Sequence, residues 1–240
     1  MRKILSVQII FILYFFNNAL CQNTNVLDSL LKNINAVTGE KKVEMLNSLS
    51  NAYLRTSAKK SVEYAKQALV LSSQLSYMKG IGDSYNLIGI ADFYLGQFAD
   101  ALTNYKAGLA VREKQNDKTD IASSLNNIGL LYDALGNYEE SLEYGLKALK
   151  AREELGDKYN IGASLLNVGL VYFSIEDFDS ALKYFTNALS VMESIKKDKA
   201  ALVILNNIGN VYRKKKQYDK ALNFYNKSVT LSEKLEDKKG

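Results

Sequence analysis

Four glycines at an interval of 40 residues, Gly89, Gly129, Gly169 and Gly209, constrain this 240-residue chain more than any other feature. Each closes a similar phrase: Tyr85-Asn86-Leu87-Ile88-Gly89, Leu125-Asn126-Asn127-Ile128-Gly129, Leu165-Leu166-Asn167-Val168-Gly169 and Leu205-Asn206-Asn207-Ile208-Gly209. Tyr132, Tyr172 and Tyr212 follow at the same period, then Phe98, Tyr138, Phe178 and Tyr218. The pairs Ala101-Leu102, Ser141-Leu142, Ala181-Leu182 and Ala221-Leu222 complete the pattern. A more diverged copy occupies 41–80, carried by Leu49, Tyr53, Ser61-Val62, Ala65 and Ala68, with a turn one residue shorter. Periods of about 20–50 residues mark stacked repeats, none able to bury its apolar face alone.

Inside one unit the spacing is helical. Leu125, Ile128, Gly129 and Tyr132 fall on one face of a first helix, predicted at 121–134. Gly136-Asn137 reads as the turn, because both residue types tolerate left-handed backbone. Leu142, Leu146 and Leu149, with Gly145 and Ala148, then line a second helix at 138–155, closed by Gly156-Asp157. Glycine within a helix costs about 0.5–1 kcal/mol relative to alanine, so four at one position need a benefit. Close approach of the paired helix supplies it.

The chain contains no proline, which suits long uninterrupted helices. It contains no histidine, so no Ser-His or Cys-His pair and no imidazole metal site can form. No phosphate loop, metal-ligand spacing or nucleophile elbow appears, so neither enzymatic activity, metal nor cofactor is expected. The net charge of +5 gives no support to nucleic-acid binding. The basic runs Arg213-Lys214-Lys215-Lys216 and Lys196-Lys197-Asp198-Lys199 read as a helix C-terminus and a solvated loop between repeats.

The first forty residues stand apart. Arg2 and Lys3 precede an apolar run of 13 residues, Ile4 to Phe16, and a small-residue exit through Ala19 and Cys21. These are the parts of a secretory signal peptide over 1–21, too short to span a bilayer, which takes about 20 apolar residues. The expected location is periplasmic or secreted. The alternatives are an uncleaved membrane anchor and lipidation of Cys21, although Leu20 stands where a small residue usually precedes a lipidated cysteine. A lone helix is expected within 22–40, on the spacing of Val26, Leu27, Leu30, Leu31 and Ile34. Five repeats follow at 41–80, 81–120, 121–160, 161–200 and 201–240.

Each repeat resembles the tetratricopeptide repeat, in its order of large residue, Gly, aromatic, Gly, aromatic, Ala, aromatic, Ala. Leu125, Gly129, Tyr132, Gly136, Tyr138, Ser141, Gly145 and Ala148 hold these places. Ser141 and Gly145 depart from the order, which Ala181 and Phe185 of the next unit restore. The family unit is about 34 residues, so each copy carries about six more, expected after the second helix as in Gly156-Asp157-Lys158-Tyr159-Asn160-Ile161. This longer form is similar to kinesin-light-chain-like repeats and bacterial sensor regions. Two departures stand out. Glu113, Glu153, Glu193 and Glu233 replace the family's proline, so the second helices should run through. Asp92 occupies the place of Tyr132, Tyr172 and Tyr212, which should loosen that copy.

The resemblance implies an all-α, right-handed superhelical solenoid of helix-turn-helix repeats, with first helices lining a concave groove. Groove candidates are Asn86, Ile90 and Phe93; Asn126, Leu130 and Asp133; Leu166, Leu170 and Phe173; and Asn206, Asn210 and Arg213. Beside them run Asn127, Asn167 and Asn207, one per repeat. A carboxamide offers donor and acceptor, so such a row can hold the backbone of an extended peptide; related repeats use asparagine this way. The alternatives are bridges between repeats or contact with solvent. Phe93, Phe173, Leu130 and Leu170 are either pocket or packing residues. Repeats that clamp a C-terminal carboxylate carry Lys and Arg here; Asp83, Ser123, Ala163 and Val203 do not fit that role.

The last helix, with Leu222, Tyr225 and Val229, has no capping helix after it in this chain. Repeat arrays need a polar cap, so self-association through that end, or a longer parent chain, is expected. The reading that results is an exported, non-enzymatic scaffold binding a peptide or protein segment. The alternative is the N-terminal sensor region of a signalling protein, a histidine kinase or transcription regulator.

Overall fold

The computed structural model describes residues 23–237. The expected signal peptide, with Cys21, lies outside them. Eleven α-helices succeed one another, with no strand among the described residues. After α1 (Asn23–Asn33) and a 3-10 turn (Ile34–Ala36) come five helical hairpins. They are α2 (Gly39–Tyr53) with α3 (Ala58–Gln74), α4 (Met78–Tyr94) with α5 (Phe98–Gln115), and α6 (Lys118–Leu135) with α7 (Tyr138–Leu155). Then come α8 (Lys158–Ser174) with α9 (Phe178–Ser194), and α10 (Asp198–Lys214) with α11 (Tyr218–Asp237). This is an all-α repeat solenoid. It divides into two compact units between Val111 and Arg112, within α5. No helix among the described residues is long and apolar enough to cross a membrane.

One turn serves every connection from α3 onward. The N–H groups of Tyr77, Gln97, Asp117, Asn137, Asp157, Asp177, Lys197 and Gln217 each donate to the carbonyl five residues back, at 2.8–3.3 Å. The residue before each is left-handed: Ser76, Gly96, Asn116, Gly136, Gly156, Glu176, Lys196 and Lys216, with φ between 53° and 78°. This is the Schellman arrangement, which satisfies helix-end carbonyls. Only Gly136 carries the left-handed backbone of the expected Gly136-Asn137 turn; Asn137 has φ −86°. Asp117, Asp157 and Asp177 then cap the following helices, accepting from the N–H three residues on at 3.0, 3.2 and 3.1 Å.

Because turns within and between hairpins are the same, each 40-residue period splits into equal halves. The residues added to the family unit therefore lengthen helices rather than loops. Lys158 to Ile161 form the first turn of α8, and Asp198-Lys199 the start of α10. The second helices run past Glu113, Glu153, Glu193 and Glu233.

In the first unit α2 packs on α3 and α3 on α4, around Val43, Leu46 and Ala68. In the second, α6 to α11 pack successively on one another. One cluster there runs from Leu149 through Leu165, Phe185, Ala188 and Met192 to Ile204 and Val211. Fully burying a Leu, Ile, Phe or Met side chain is worth about 1.5–3 kcal/mol, which makes this cluster the main support of the unit.

The repeated glycines sit where the two helices of a hairpin touch. A Cβ on Gly89, Gly169 or Gly209 would fall 2.5–2.6 Å from the ring of Tyr105, Phe185 or Tyr225. On Gly129 it would fall 3.2 Å from the backbone N of Gly145. In the first hairpin Ser50 takes the place of glycine, and its buried hydroxyl meets that of Ser61 at 2.9 Å.

Beside this contact four hairpins stack an aromatic pair. Tyr53–Tyr64, Tyr132–Tyr144, Tyr172–Tyr184 and Tyr212–Phe224 have ring centroids 5.2–5.6 Å apart. The second hairpin replaces both rings at once. Asn104 Nδ2 donates to Asp92 Oδ2 at 2.9 Å, with Asp92 5% exposed. The expected loosening is thus compensated by a polar pair, and burial pushes the Asp92 carboxyl above its usual pKa. On α11, Leu222 and Val229 are 60% and 54% exposed, whereas Tyr225 turns inward and donates to Asn210 Oδ1 at 2.8 Å.

Asn104→Leu, by stranding Asp92, is expected to destabilise the chain by about 1–3 kcal/mol. Asp92→Tyr combined with Asn104→Tyr, which rebuilds the stack, should recover most of the loss. Urea denaturation followed by helicity measures both.

Candidate functional site

The expected groove residues lie on the first helices α4, α6, α8 and α10, and most are half-buried, but Leu166 is buried in the apolar cluster and Arg213 is exposed. Asn207 is also buried, 7% exposed, although its counterparts Asn127 and Asn167 are half-buried. Asn86 and Phe93 belong to the first unit. There Phe93 packs against Phe98 at 5.5 Å and edge-on to Tyr94 at 6.3 Å. In the second unit Leu170 and Phe173 rest against the main cluster, with Phe173 5.9 Å from Phe178. Both phenylalanines therefore contribute to hairpin packing while retaining some exposed surface. Leu130 and Asn206 are half-buried on α6 and α10, and Asn210 is tied to Tyr225.

Two of the asparagines meet. Asn167 Nδ2 on α8 donates to Asn126 Oδ1 on α6 at 3.1 Å, joining consecutive repeats. The same oxygen accepts from Arg152 Nη1 on α7 at 3.2 Å. Arg152 is 7% exposed, and that nitrogen also donates to Ser164 Oγ at 2.5 Å and to the carbonyl of Asn160 at 3.3 Å. Burial lowers the guanidinium pKa, partly offset by the Asp157 carboxylate. An arginine remains charged under such a shift, and its hydrogen bonds stand in for the lost water.

Arg152 and Ser164 escaped the sequence reading, because a single charged residue on a helix looks like surface. The signal lies in two columns of the repeat: Ser72, Arg112, Arg152, Met192 and Ser84, Ser124, Ser164, Ile204. Arg112 repeats the pattern, Nη1 donating to Ser124 Oγ at 2.7 Å. One repeat later Met192 and Ile204 meet in the apolar core. In the first unit Ser84 Oγ donates to Asn47 Oδ1 at 3.0 Å.

Asp133, near the end of α6, is different in kind. Its Oδ1 is buried without a hydrogen-bond partner, and burial pushes its pKa up to about 6. Among the described residues no three His, Cys, Asp or Glu side chains cluster in a way that could hold a metal ion.

The family profile of the tetratricopeptide repeat matches residues 80–154 and 160–234. The chain belongs to the tetratricopeptide repeat family. Among solved structures it is similar to BtubC (BKLC) from P. vanneervenii, at 16% identity and TM-score 0.76, with 90% of each chain covered. It is also similar to a signal-transduction ATPase with numerous domains (STAND) from Pyrococcus horikoshii that carries a tetratricopeptide repeat sensor. That match has 20% identity and TM-score 0.77, and it covers 93% of this chain but 35% of the other, about a third of its length. A third similar structure is aspartyl phosphate phosphatase F from Bacillus subtilis, at 15% identity and TM-score 0.68, covering 88% and 68%. No curated protein matches the sequence. At these identities the structural likeness establishes the fold alone. Tetratricopeptide repeats imply a protein–protein interaction scaffold, and the fold is in general non-enzymatic.

The pH dependence of Asp133 follows from the direction of its shift. Its folded pKa, about 6, lies above the ordinary carboxylate value, so the folded state holds the proton more tightly. The stability this adds is complete below pH ~4 and is lost as pH rises through about 6. Asp133→Asn should remove that decline, raising stability at pH 7 by about 1–3 kcal/mol while leaving it near wild type at pH 4. Thermal melts across this range are the measurement.

Proposed function

We propose that this chain is an exported, non-enzymatic scaffold that holds an extended peptide segment of a partner protein on the first-helix face of its second unit. The observation that carries the reading is the half-buried Asn126–Asn167 pair, with Leu130 and Leu170 one helical turn further along the same two helices. Carboxamides serve peptide groups of any sequence, and apolar side chains beside them supply contact area. Export rests on the basic start, the apolar run Ile4–Phe16 and the small residues Ala19 and Cys21. The alternative, a sensor region within a larger signalling protein, draws support from the likeness to a STAND protein of which this chain spans 35%.

Selection of a random peptide library on the purified chain tests the binding reading. Enriched peptides should lose at least tenfold in affinity to Asn126→Ala combined with Asn167→Ala, with helicity unchanged. Equal affinity for that double variant would refute it. For export, mass spectrometry of the protein from its native host should find a mature chain beginning at Gln22.

A further inference from the structure

We propose that Arg152 sets the polarity of the Asn126–Asn167 pair, so that the pair takes the C=O and N–H of one internal residue of an extended segment and disfavours a free carboxylate. This rests on the peptide-binding reading above and adds to it a positioning residue and a ligand chemistry.

The polarity follows from donor inventory. A guanidinium has only donors, so the atom of Asn126 facing Arg152 Nη1 at 3.2 Å has to be Oδ1. Turning the Asn126 amide over would set donor against donor next to a buried charge. With Oδ1 fixed there, Asn167 can reach it at 3.1 Å only through Nδ2. One buried arginine thus orients two amides in succession. Asn126 keeps its Nδ2 donors, and Asn167 keeps its Oδ1 acceptor, for a ligand. A residue in extended conformation offers the complement of both along one edge, its C=O for Asn126 and its N–H for Asn167. A carboxylate offers acceptors only, and would bring like partial charge against Asn167 Oδ1.

Stacking of the repeats does not itself require Arg152. At the next joint of the same unit Met192 stands in its column, Ile204 in that of Ser164 and Leu166 in that of Asn126. All three are buried in the apolar cluster. The chain therefore builds the same joint without a buried charge, and apolar replacement of buried charged groups is commonly neutral or stabilising. At that joint the arginine and the asparagine it would orient are replaced together, whereas Asn47 and Asn206 stand in repeats whose arginine column holds Ser72 and Ser232.

The variant that follows is Arg152→Met with Ser164→Ile, which copies the Met192–Ile204 joint. Arg152→Gln, whose amide can present either a donor or an acceptor to Asn126, is the second variant should the first fail to fold. Two readouts apply. Nitrogen-15 spectra of the side-chain amides should show the Asn167 NH2 protected from exchange with water and the Asn126 NH2 exchanging freely. That contrast should vanish in either variant. A peptide selected from the random library, scanned by backbone N-methylation, should lose at least tenfold in affinity at one internal position on the wild-type chain. The scan should be flat at that position on the variants, and amidation of the peptide's C-terminus should not weaken binding.

Variants that keep both the exchange contrast and the methylation profile would overturn the role of Arg152 while leaving peptide binding intact. If no peptide is selected, the binding reading fails, and the ligand chemistry proposed here fails with it. The exchange contrast then decides separately whether Arg152 orients the pair.

Discussion

Everything in this molecule depends on how closely two helices approach at the centre of each hairpin. A missing Cβ at Gly89, Gly169 and Gly209 opens a slot that the ring of Tyr105, Phe185 or Tyr225 fills. That contact places the aromatic pair one helical turn away, and the shared turn closes the hairpin at a fixed length. Departures from the pattern come with partners. Ser50 in place of glycine has Ser61 opposite, and Asp92 in place of tyrosine has Asn104. Gly145 leaves its slot without a ring, and Val168 of the next repeat lies within 3.3 Å of where its Cβ would be. A position that changes alone would leave a void or an unpaired polar group, at a cost comparable to a sizeable share of a domain's net stability.

The hairpins are alike inside, so their individuality lies where they join. In the first unit Ser84 bonds Asn47; in the second Arg152 gathers Ser164 and Asn126, and Met192 and Ile204 then make an apolar contact. Repeat stability is roughly a sum of units and neighbouring interfaces. A polar joint can therefore coexist with an apolar one, each satisfied locally. The polar joint also reaches the surface, because Asn126 and Asn167 are half-buried. A buried charge is thereby linked to groups within reach of a ligand.

The period alone made the helices, the glycine contact and the family legible. It was less informative about what happens at single residues. The residues added to the family unit read as a loop, because Gly156-Asp157 stops one helix; the restart at Lys158 depends on a cap by Asp157 that spacing does not reveal. The row Asn127, Asn167 and Asn207 looked uniform, yet Asn207 is buried where its counterparts are not. Its cross-joint neighbour column holds Leu166 rather than asparagine, and a helical wheel drawn within one repeat contains no such neighbour. Arg152 was hidden for the same reason. Its role becomes visible only when its column is read beside those of Ser164 and Asn126.

An amide pair that reads a peptide group is blind to side chains, so it cannot by itself fix where along a segment it engages. The columns around it could. At one place the first helices of the second unit carry Asp133, Phe173 and Arg213, and at another Leu130, Leu170 and Asn210. A scaffold for a repetitive partner would have reason to repeat these residues as faithfully as it repeats its glycines. Here the glycines recur without exception in four repeats while this face changes from acidic to aromatic to basic. A segment held by its backbone at Asn126 and Asn167 would then meet a different chemistry on either side. Only one register would set its charges and apolar side chains correctly, so orientation by the arginine and variety along the face act on the same choice.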